Sequence, residues 1–475
     1  MIARMNTPTT ARLLVRQPVV MLLAIAALLF GPACKEDGPA ASPTQATDAS
    51  GPADAASQAT AGGPFSLIYY DGHMHTTRSD GSGSVQDMKA AALARDLSVV
   101  IVTDHCASLT RAEWESLVAE TAAASEPGAF LALPGFEITG SEGLFNRDHM
   151  LAYDVPDPFV GDDLEELCPE EAWPDPPNPA GTGPTYPENL ARWTDYVRSQ
   201  GGIAVHNHTS GSTQLGYGVT SIEVYNQGHV DDIFGYTKLL GYSDEEALRL
   251  ARTLNGLALH GERDLSTPIP FGELGLVPLR TAVHTATGQW LGSPEAPLRS
   301  WDELLLAYVH GAVDAPIFAV ANSDAHNTGD PDSKVGVAKN GLYVTELTAD
   351  AVYGAIKAGR SFATTGPSLA LEVNGRPMGD TASISRGGAA QIKLSVDAES
   401  ETTVLVKIDV VKNGEVWRTV EPMTRAYEDT LADNVNEGGY YRIEVTSQDA
   451  AGNLSFAWSN PVFVGVPQAA PRLAR

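Results

Sequence analysis

Basic residues are scarce in this chain of 475 residues. It has 31 lysines and arginines against 59 aspartates and glutamates, which gives a formal net charge of −28 at pH 7. A strongly negative protein repels other polyanions unless a local basic patch outweighs its overall field. The composition therefore argues against nucleic acid as a partner, and against direct binding to anionic lipid surfaces.

Cysteine is also rare. The chain has three, of which Cys34 belongs to the N-terminal segment and Cys106 and Cys168 to the folded body. Export would permit a disulfide between the latter two, but sequence cannot show that their Cα atoms are close enough. Because Cys106 directly follows His105, a thiol beside a functional site is the alternative prediction.

The apolar run at the N-terminus, from Val19 to Phe30, is too short to span a membrane comfortably. Arginines precede it and small residues follow it, a pattern typical of an export signal over residues 1–34. Cys34 resembles the cysteine of a bacterial lipobox, although Gly31 stands where an apolar residue is usual. We expect an exported lipoprotein anchored at Cys34, on the periplasmic side or at the cell surface. Ordinary cleavage near Ala33 is the alternative.

Composition and periodicity divide the rest of the chain. Residues 35–63, rich in Ala, Ser, Thr, Pro and Gly, predict a flexible linker. Residues 64–367 alternate strands with helices, which implies an α/β fold with a parallel sheet that about seven repeats would close into a barrel. Residues 368–466 show strand periodicity and predict a small all-β sandwich, with a tail at 467–475.

Three segments in these regions are distinctive. Asn413-Gly414 is a two-residue hairpin signal within the sandwich region. Residues 156–187 and 228–300 resist a regular assignment and are predicted to be insertions into the α/β region.

Metal-binding side chains stand at nearly every predicted strand end of the α/β region. His73 and His75 are two residues apart, so on an extended strand both imidazoles project from the same face. The mixture of histidines and carboxylates suits zinc, iron or manganese, and the open positions imply a catalytic site. The candidate ligands are His73, His75, Asp80, His105, Glu137, His149, His206, Asp324 and His326.

The order of these motifs resembles the polymerase and histidinol phosphatase (PHP) superfamily of metal-dependent phosphoesterases. The motifs are His-x-His at 73–75, Ser-Asp-Gly at 79–81, Thr-Asp-His at 103–105, Pro-Gly-x-Glu at 134–137, Gly-Gly-Ile-Ala-Val-His at 201–206 and Ser-Asp-Ala-His at 323–326. The ending at 359–367, followed by a β domain, is similar to the branch named for the carbaryl hydrolases CehA and McbA. The resemblance implies a distorted (β/α)7 barrel with two or three divalent ions, namely zinc, manganese or iron.

The resemblance also implies a ligand set. One metal would be held by His73, His75, Glu137 and Asp324, a second by Glu137, His149 and His206, and a third by Asp80, His105 and His326, with Glu137 bridging. The chain departs from the family at residues 205–208, where the family usually has His-Pro. We therefore expect His206 to be the ligand and His208 to be an outer donor or a competing ligand. Asp104 and Asn322 are predicted to orient the ligands beside them.

The predicted reaction is hydrolysis of a small-molecule phosphate ester by a metal-bridging hydroxide, with in-line attack on phosphorus. No Gly-x-Ser-x-Gly elbow or Ser-His-Asp arrangement is evident, so a covalent serine route is not expected. The predicted catalytic residues are Glu137, Asp324, His208 and Arg360. The Arg360 guanidinium suits a substrate anion, or equally a helix end. Lys334 and Arg147 are weaker candidates of the same kind.

Two other functions remain open. The same site could hydrolyse a carbamate, ester or amide, as the branch name suggests. The chain could also be a non-catalytic surface protein in which metal ions stabilise a scaffold and the β domain binds a partner.

Overall fold

The computed structural model describes residues 65–138, 149–156, 186–207, 219–226, 243, 299–311, 313–329 and 334–466. The predicted signal peptide, linker and tail lie outside these residues, together with most of the two predicted insertions. The side chains of Cys34, Arg147, Cys168 and His208 lie outside them as well. None of the helices in the described part of the chain is long and apolar enough to cross a membrane.

Strands and helices alternate along the first part of the described chain. The strands are β1 (Ser66–Asp71), β2 (Val99–Val102), β3 (Leu131–Ile138), β4 (His149–Tyr153), β5 (Ile203–Asn207), β6 (Ser221–Asn226), β7 (Phe318–Asn322), β8 (Lys339–Val344) and β9 (Ser361–Thr364). The helices are α1 (Val85–Leu93), α2 (Arg111–Ala124), α3 (Tyr186–Ser199), α4 (Arg299–Val309) and α5 (Ala349–Lys357). Ser84 begins α1 with a capping box to Asp87.

The protein is mixed α/β with one large sheet, in which these strands follow the order β9-β8-β1-β2-β3-β4-β5-β6-β7. Strands β1 to β3 are parallel to one another, and so are β5 to β7. The prediction of a parallel sheet is wrong for β4, which is antiparallel to both neighbours, and for β8, which is antiparallel to β1 and β9. Only ten residues connect β3 to β4, fewer than a helical crossover between parallel strands requires.

Two asparagine side chains bind the backbone of β7 on the side away from β6. Asn340 of β8 accepts a hydrogen bond from the Ala321 amide at 2.8 Å and donates to the Ala321 carbonyl at 2.6 Å. Asn460 makes the same pair of bonds with Ala319, at 2.7 and 3.2 Å. An isolated parallel bridge also joins Met74 to Ala325. These contacts bring β7 next to β1 and β8, while the seven-stranded barrel itself stays a prediction.

Residues 368–466 form strands without a helix, as the sequence predicts. The strands are β10 (Ser368–Val373), β11 (Arg376–Pro377), β12 (Thr381–Ser383), β13 (Gly388–Asp397), β14 (Val404–Lys412), β15 (Glu415–Val420), β16 (Ala426–Val435), β17 (Gly439–Gln448), β18 (Leu454–Ser459) and β19 (Val462–Gly465). Strands β11-β10-β13-β16 form a second sheet, whose buried side chains share a core with those of β14, β17 and β19.

The boundary between the two regions is continuous in hydrogen bonding. Strand β18 pairs with β9, so strands from both sides of residue 367 belong to the large sheet. The division into domains at 64–367 and 368–466 stays a prediction. The hairpin signal at Asn413-Gly414 is confirmed, since both residues have positive φ (52° and 79°) and join β14 to β15. Strand β15 itself has mostly exposed side chains, so apolar periodicity did not reveal it.

Candidate metal centre

The buried side chains on the two faces of the large sheet fall into two clusters. One cluster, on what we call the helix side, includes residues of α1 to α4, and the other, on what we call the interior side, includes residues of α5. Leu151, Val205 and Val320 belong to the interior cluster, whereas Met150, Ile222 and Ala319 belong to the cluster on the helix side. Side chains alternate between the two faces along a strand. The face of each apolar residue therefore shows which face the polar residues of the same strand occupy. Glu137 pairs with Leu151, which places it on the interior face.

Three buried side chains and one nearly buried carboxylate converge at the end of β1, and we call them the inner cluster: His73, His75, Glu137 and Asp324. Nε2 of His73 lies 3.4 Å from Oε2 of Glu137 and 3.2 Å from Oδ1 of Asp324. Nε2 of His75 lies 3.2 and 3.3 Å from the same two oxygens. In a tetrahedral site with bonds of about 2.0–2.1 Å, ligand atoms lie about 3.3–3.4 Å apart. The spacing and the donor types therefore fit a divalent metal ion.

Backbone conformation at Asp324 directs its carboxylate into the inner cluster. Its φ is 55°, in the left-handed region that residues other than glycine seldom adopt and that asparagine and aspartate tolerate better than most. The flanking Ala325 is held by backbone hydrogen bonds with His73 and His75. Such a conformation persists only where its surroundings fix it, and it is frequent at functional sites.

Glu137 presents its two carboxylate oxygens to different partners. Oε2 faces His73 and His75, and it also lies 3.3 Å from Nδ1 of His105. Oε1 lies 2.6 Å from Nδ1 of His149, and His105, Glu137 and His149 form a second group with metal-binding spacing. This arrangement suits a carboxylate that bridges two ions.

A third group, the outer cluster, consists of Asp80, His105 and His326 with the ring of His75 beneath it. Oδ2 of Asp80 lies 3.5 Å from Nε2 of His105 and 3.1 Å from Nε2 of His326. The side chains of Asp80 and His326 are 52% and 41% exposed, whereas those of His73, His75 and Glu137 are almost fully buried. The outer cluster is thus the side on which the centre opens to solvent.

The loop that carries Asp80 is held close to the end of β1. A Cβ atom at Gly81 would lie 2.0 Å from the carbonyl oxygen of His75, so only glycine fits this position. Asp104 accepts hydrogen bonds from the amide and hydroxyl of Thr76, at 2.6 and 2.7 Å, and from the hydroxyl of Ser79 at 2.8 Å. Asp104 therefore orients this loop, the kind of role that the sequence predicts for it.

The carboxylates and imidazoles of the centre shift one another's pKa values. Burial alone would raise the pKa of Glu137, but the histidines around it, with His149 foremost, hold that pKa well below its ordinary value. Burial would lower the pKa of His75, yet hydrogen bonds to Asp324 and Glu137 raise it to about 10. At neutral pH such a ring carries a proton that an entering metal ion must displace.

Glu223, which the sequence analysis did not select, lies against the inner cluster. Its Oε1 is 3.0 Å from Nδ1 of His73 and accepts a hydrogen bond from Nδ2 of Asn322 at 2.8 Å. Asn322 also accepts from the Gly72 amide at 3.0 Å. The available signal was an acidic residue within the apolar strand Ile222-Glu-Val-Tyr, at a position where alternation faces the interior.

The described contacts do not bring His206 into the centre. His206 pairs with Met150 and Ile222, whose side chains pack on the helix side of the sheet, whereas its neighbour Asn207 faces the interior. Nδ2 of Asn207 donates to Oε1 of Glu137 at 2.6 Å. None of the metal-binding groups found among the described residues includes His206. His208, the other candidate at this strand, lies outside the described residues.

Arg360 lies at the opposite end of the sheet from the clusters. Its guanidinium is 5.5 Å from the ring of Phe65, which precedes β1, whereas His73 follows β1. Six residues of strand separate the two ends by about 20 Å. This position agrees with the alternative, a cation that follows helix α5, and a contact between Arg360 and the substrate stays a prediction. Lys334 is described but contributes to none of the three metal-binding groups, and Arg147 lies outside the described residues.

Cys106, next to His105, is disulfide-bonded, which excludes the alternative of a free thiol at this position. The other cysteines of the chain, Cys34 and Cys168, both lie outside the described residues. The pairing of Cys106 with Cys168 stays a prediction.

Neither a protein-family model nor a curated protein sequence matches this chain. Solved structures do resemble it. A two-domain protein from Bacteroides vulgatus, containing a predicted PHP-like metal-dependent phosphoesterase, is 13% identical, with 84% of this chain and 96% of that chain covered and a TM-score of 0.37. An amidohydrolase from Chromobacterium violaceum, with bound sulfate and no metal, is 18% identical, with 36% and 81% covered and a TM-score of 0.23.

A further similar structure is described as that of a metal-dependent phosphoesterase from Bifidobacterium adolescentis. It is 18% identical, with 34% of this chain and 78% of that chain covered and a TM-score of 0.22. TM-scores this low do not indicate a shared reaction, and the geometry of the three groups of side chains is the evidence for function in this chain.

Proposed function

We propose that this protein is a metal-dependent hydrolase of the PHP superfamily that cleaves small-molecule phosphate esters. The observation that carries the proposal is the inner cluster, in which two imidazole nitrogens and two carboxylate oxygens lie 3.2–3.4 Å apart in a buried site. Buried groups of this kind are costly to fold together unless a cation or protons compensate them.

The inner cluster would hold one ion, Glu137 with His149 a second, and the outer cluster a third. Divalent zinc, manganese or iron bound there would lower the pKa of a water molecule and neutralise charge on a phosphoryl oxygen. The number and identity of the ions are part of the proposal.

The chain's own side chains define how a substrate reaches this centre. The half-exposed Asp80 and His326 form the solvent side, so a phosphate ester approaches past them. Below the inner cluster, the apolar side chains of the interior, including Tyr70, Leu151 and Val205, are buried and exclude water from that side. Glu137 connects the buried and exposed parts, since its oxygens face His73, His105 and His149.

Several finer features belong to the same proposal. They are the distorted (β/α)7 barrel, the membership of the CehA and McbA branch, the two-domain division and the export as a lipoprotein anchored at Cys34. The contacts of β7 with Asn340 and Asn460 support the closure of the sheet.

Two alternatives use the same residues. Because the branch is named for carbaryl hydrolases, a carbamate, ester or amide could be attacked at this centre. A metal-stabilised scaffold without catalysis is the other alternative, and the open outer cluster argues against it because purely structural sites are closed.

The direct test measures metal content and hydrolysis together. The purified protein, loaded with zinc, manganese or iron(II), is assayed with bis-p-nitrophenyl phosphate, p-nitrophenyl phosphate and 1-naphthyl methylcarbamate. We expect at least two bound equivalents and turnover of a phosphate ester. Turnover of the carbamate alone would refute the phosphoesterase assignment, and fewer than two equivalents without turnover would favour the scaffold.

His73→Ala tests the site assignment. Removing one of four inner-cluster donors should abolish turnover and lower the bound metal by about one equivalent, while circular dichroism shows the fold retained. His310→Ala, at an exposed histidine near the end of α4, is the matched control and should behave like the wild type. Unchanged turnover in His73→Ala would contradict the assignment.

A further inference from the structure

Glu223 is a buried acidic residue that none of the predicted metal-binding roles includes. It lies in β6 and points to the interior of the sheet, with 3% of its surface exposed. Its carboxylate reaches His73 from the side of the ring that faces away from the inner cluster, since it contacts Nδ1 and not Nε2. The residue is therefore too far behind the ring to share the metal ion that His73 would bind.

The contacts of Glu223 fix its own position. Asn322 uses its Oδ1 to accept hydrogen bonds from the Gly72 amide at 3.0 Å and from Nδ2 of Asn340 at 3.2 Å. That leaves the Nδ2 group of Asn322 to donate to Oε1 of Glu223 at 2.8 Å. The amide orientation of Asn322 is thus determined by one backbone donor and one side-chain donor, and the carboxylate of Glu223 is held beside the His73 ring.

The contact with Glu223 also selects the tautomer of His73. Oε1 of Glu223 accepts from Nδ2 of Asn322 and so faces Nδ1 of His73 as an acceptor, which makes Nδ1 the donor across the 3.0 Å contact. The proton on Nδ1 leaves the lone pair of the neutral ring on Nε2. That atom faces the inner cluster, 3.2 Å from Asp324 and 3.4 Å from Glu137.

We propose that Glu223 is a positioning residue that keeps the His73 proton on Nδ1, fixes the plane of the ring and makes Nε2 a stronger donor to the inner metal ion. The inference rests on the proposed function, because it takes the inner cluster to bind a metal. Carboxylates that accept from the second nitrogen of a metal-binding histidine orient the ring and raise its basicity.

The test compares Glu223→Ala and Glu223→Gln with the wild-type chain by metal affinity. Apparent zinc affinity is measured by competition with a chelating dye, and the ligand field of cobalt(II) by its visible absorption. Loss of such a partner typically weakens metal binding by about 10- to 100-fold. We expect that loss in Glu223→Ala, and a smaller loss in Glu223→Gln, whose amide oxygen still accepts from Nδ1 but carries no charge.

Glu444→Gln is the matched control. Glu444 is also a buried glutamate and forms an ion pair with Arg442, but it lies in β17, outside the centre. A purely structural role for Glu223 would make Glu444→Gln and Glu223→Gln alike, with reduced thermal stability and wild-type zinc affinity. The proposal requires a shifted cobalt spectrum and weaker zinc binding only in the Glu223 variants.

His73→Ala distinguishes failure of this inference from failure of the proposed function. If His73→Ala loses inner-site zinc and the Glu223 variants bind it like the wild type, the positioning role is overturned while the metal site stands. If none of these variants changes zinc binding, the inner cluster is not a metal site and both proposals are wrong. Should Glu223→Ala not fold, wild-type affinity in Glu223→Gln would by itself overturn the inference.

Discussion

Asn340→Ala should destabilise the protein strongly. The Asn340 side chain makes hydrogen bonds to the backbone of β7 that a neighbouring strand would make in a regular sheet. The side chain is fully buried, and it binds both the amide and the carbonyl of Ala321, at 2.8 and 2.6 Å. Alanine leaves these two backbone groups buried without the partners that Asn340 supplies. The substitution also removes the contact with Asn322 at 3.2 Å.

The expected magnitude follows from the two backbone groups. Leaving a buried donor or acceptor unsatisfied costs about 1–3 kcal/mol, so the loss for two groups is about 2–6 kcal/mol of unfolding free energy. Folded domains are stable by only about 5–15 kcal/mol. The variant should therefore unfold at a clearly lower denaturant concentration while it still folds under mild conditions.

Urea unfolding followed by tryptophan fluorescence and by circular dichroism measures this loss. Asn453→Ala is the control, because Asn453 makes a side-chain bond to Asp449 at 2.8 Å in a partly exposed loop. Its replacement should cost no more than about 1 kcal/mol. A loss below about 1 kcal/mol for Asn340→Ala would refute the reasoning, since it would show that water or another group satisfies Ala321.

Three further predictions concern the centre. Arg360→Ala should leave kcat/KM for a phosphate ester within about twofold of wild type, because this side chain lies at the far end of β1; a tenfold loss would contradict that position. His206→Ala should keep the full metal content of the wild type, because His206 lies opposite Met150 on the helix side of the sheet; loss of about one equivalent in this variant would identify His206 as the ligand, and the same loss in His208→Ala alone would identify His208. Because the metal-free pKa of His75 is raised to about 10, zinc must displace its proton. Calorimetry in different buffers should therefore detect proton release at pH 7, and zinc affinity should fall as the pH is lowered.

Much of the centre was accessible from sequence because its ligands follow the ends of apolar strands. His73, His75, Glu137 and Asp324 lie together in the structure, although 251 positions separate the first from the last (73 to 324). Strand rhythm made them candidates, since adjacent strand ends meet at one edge of a sheet, and the resemblance to the PHP superfamily implied that the four belong to one metal site. The motif Ser-Asp-Gly also had a physical cause, namely the close approach of Gly81 to His75.

Other features could not be predicted because they depend on which face a strand presents. A histidine at the end of β5 looks like a ligand from spacing alone, but register places His206 opposite Met150 and Asn207 opposite His149. Glu223 was missed for the same reason, because its role depends on the contact with His73, which forms only when the side chain of Glu223 lies on the interior face of its strand. The direction of β4 was missed as well, although the connection from β3 to β4 is too short for the helical crossover that a parallel strand requires.

Asn322 links the structural and functional parts of this centre. Through Asn340 it belongs to the side-chain contacts that hold β7 beside β8, and through Glu223 it belongs to the contacts that orient His73. A metal ion at His73 would therefore stabilise the arrangement that also holds β7 beside β8. Since a ligand that binds only the folded state raises its stability, zinc should raise the unfolding midpoint of the wild type. In Asn322→Ala, where the two sets of contacts are disconnected, the same zinc concentration should raise the midpoint less, and an equal rise would show that the contacts between β7 and β8 are independent of the centre.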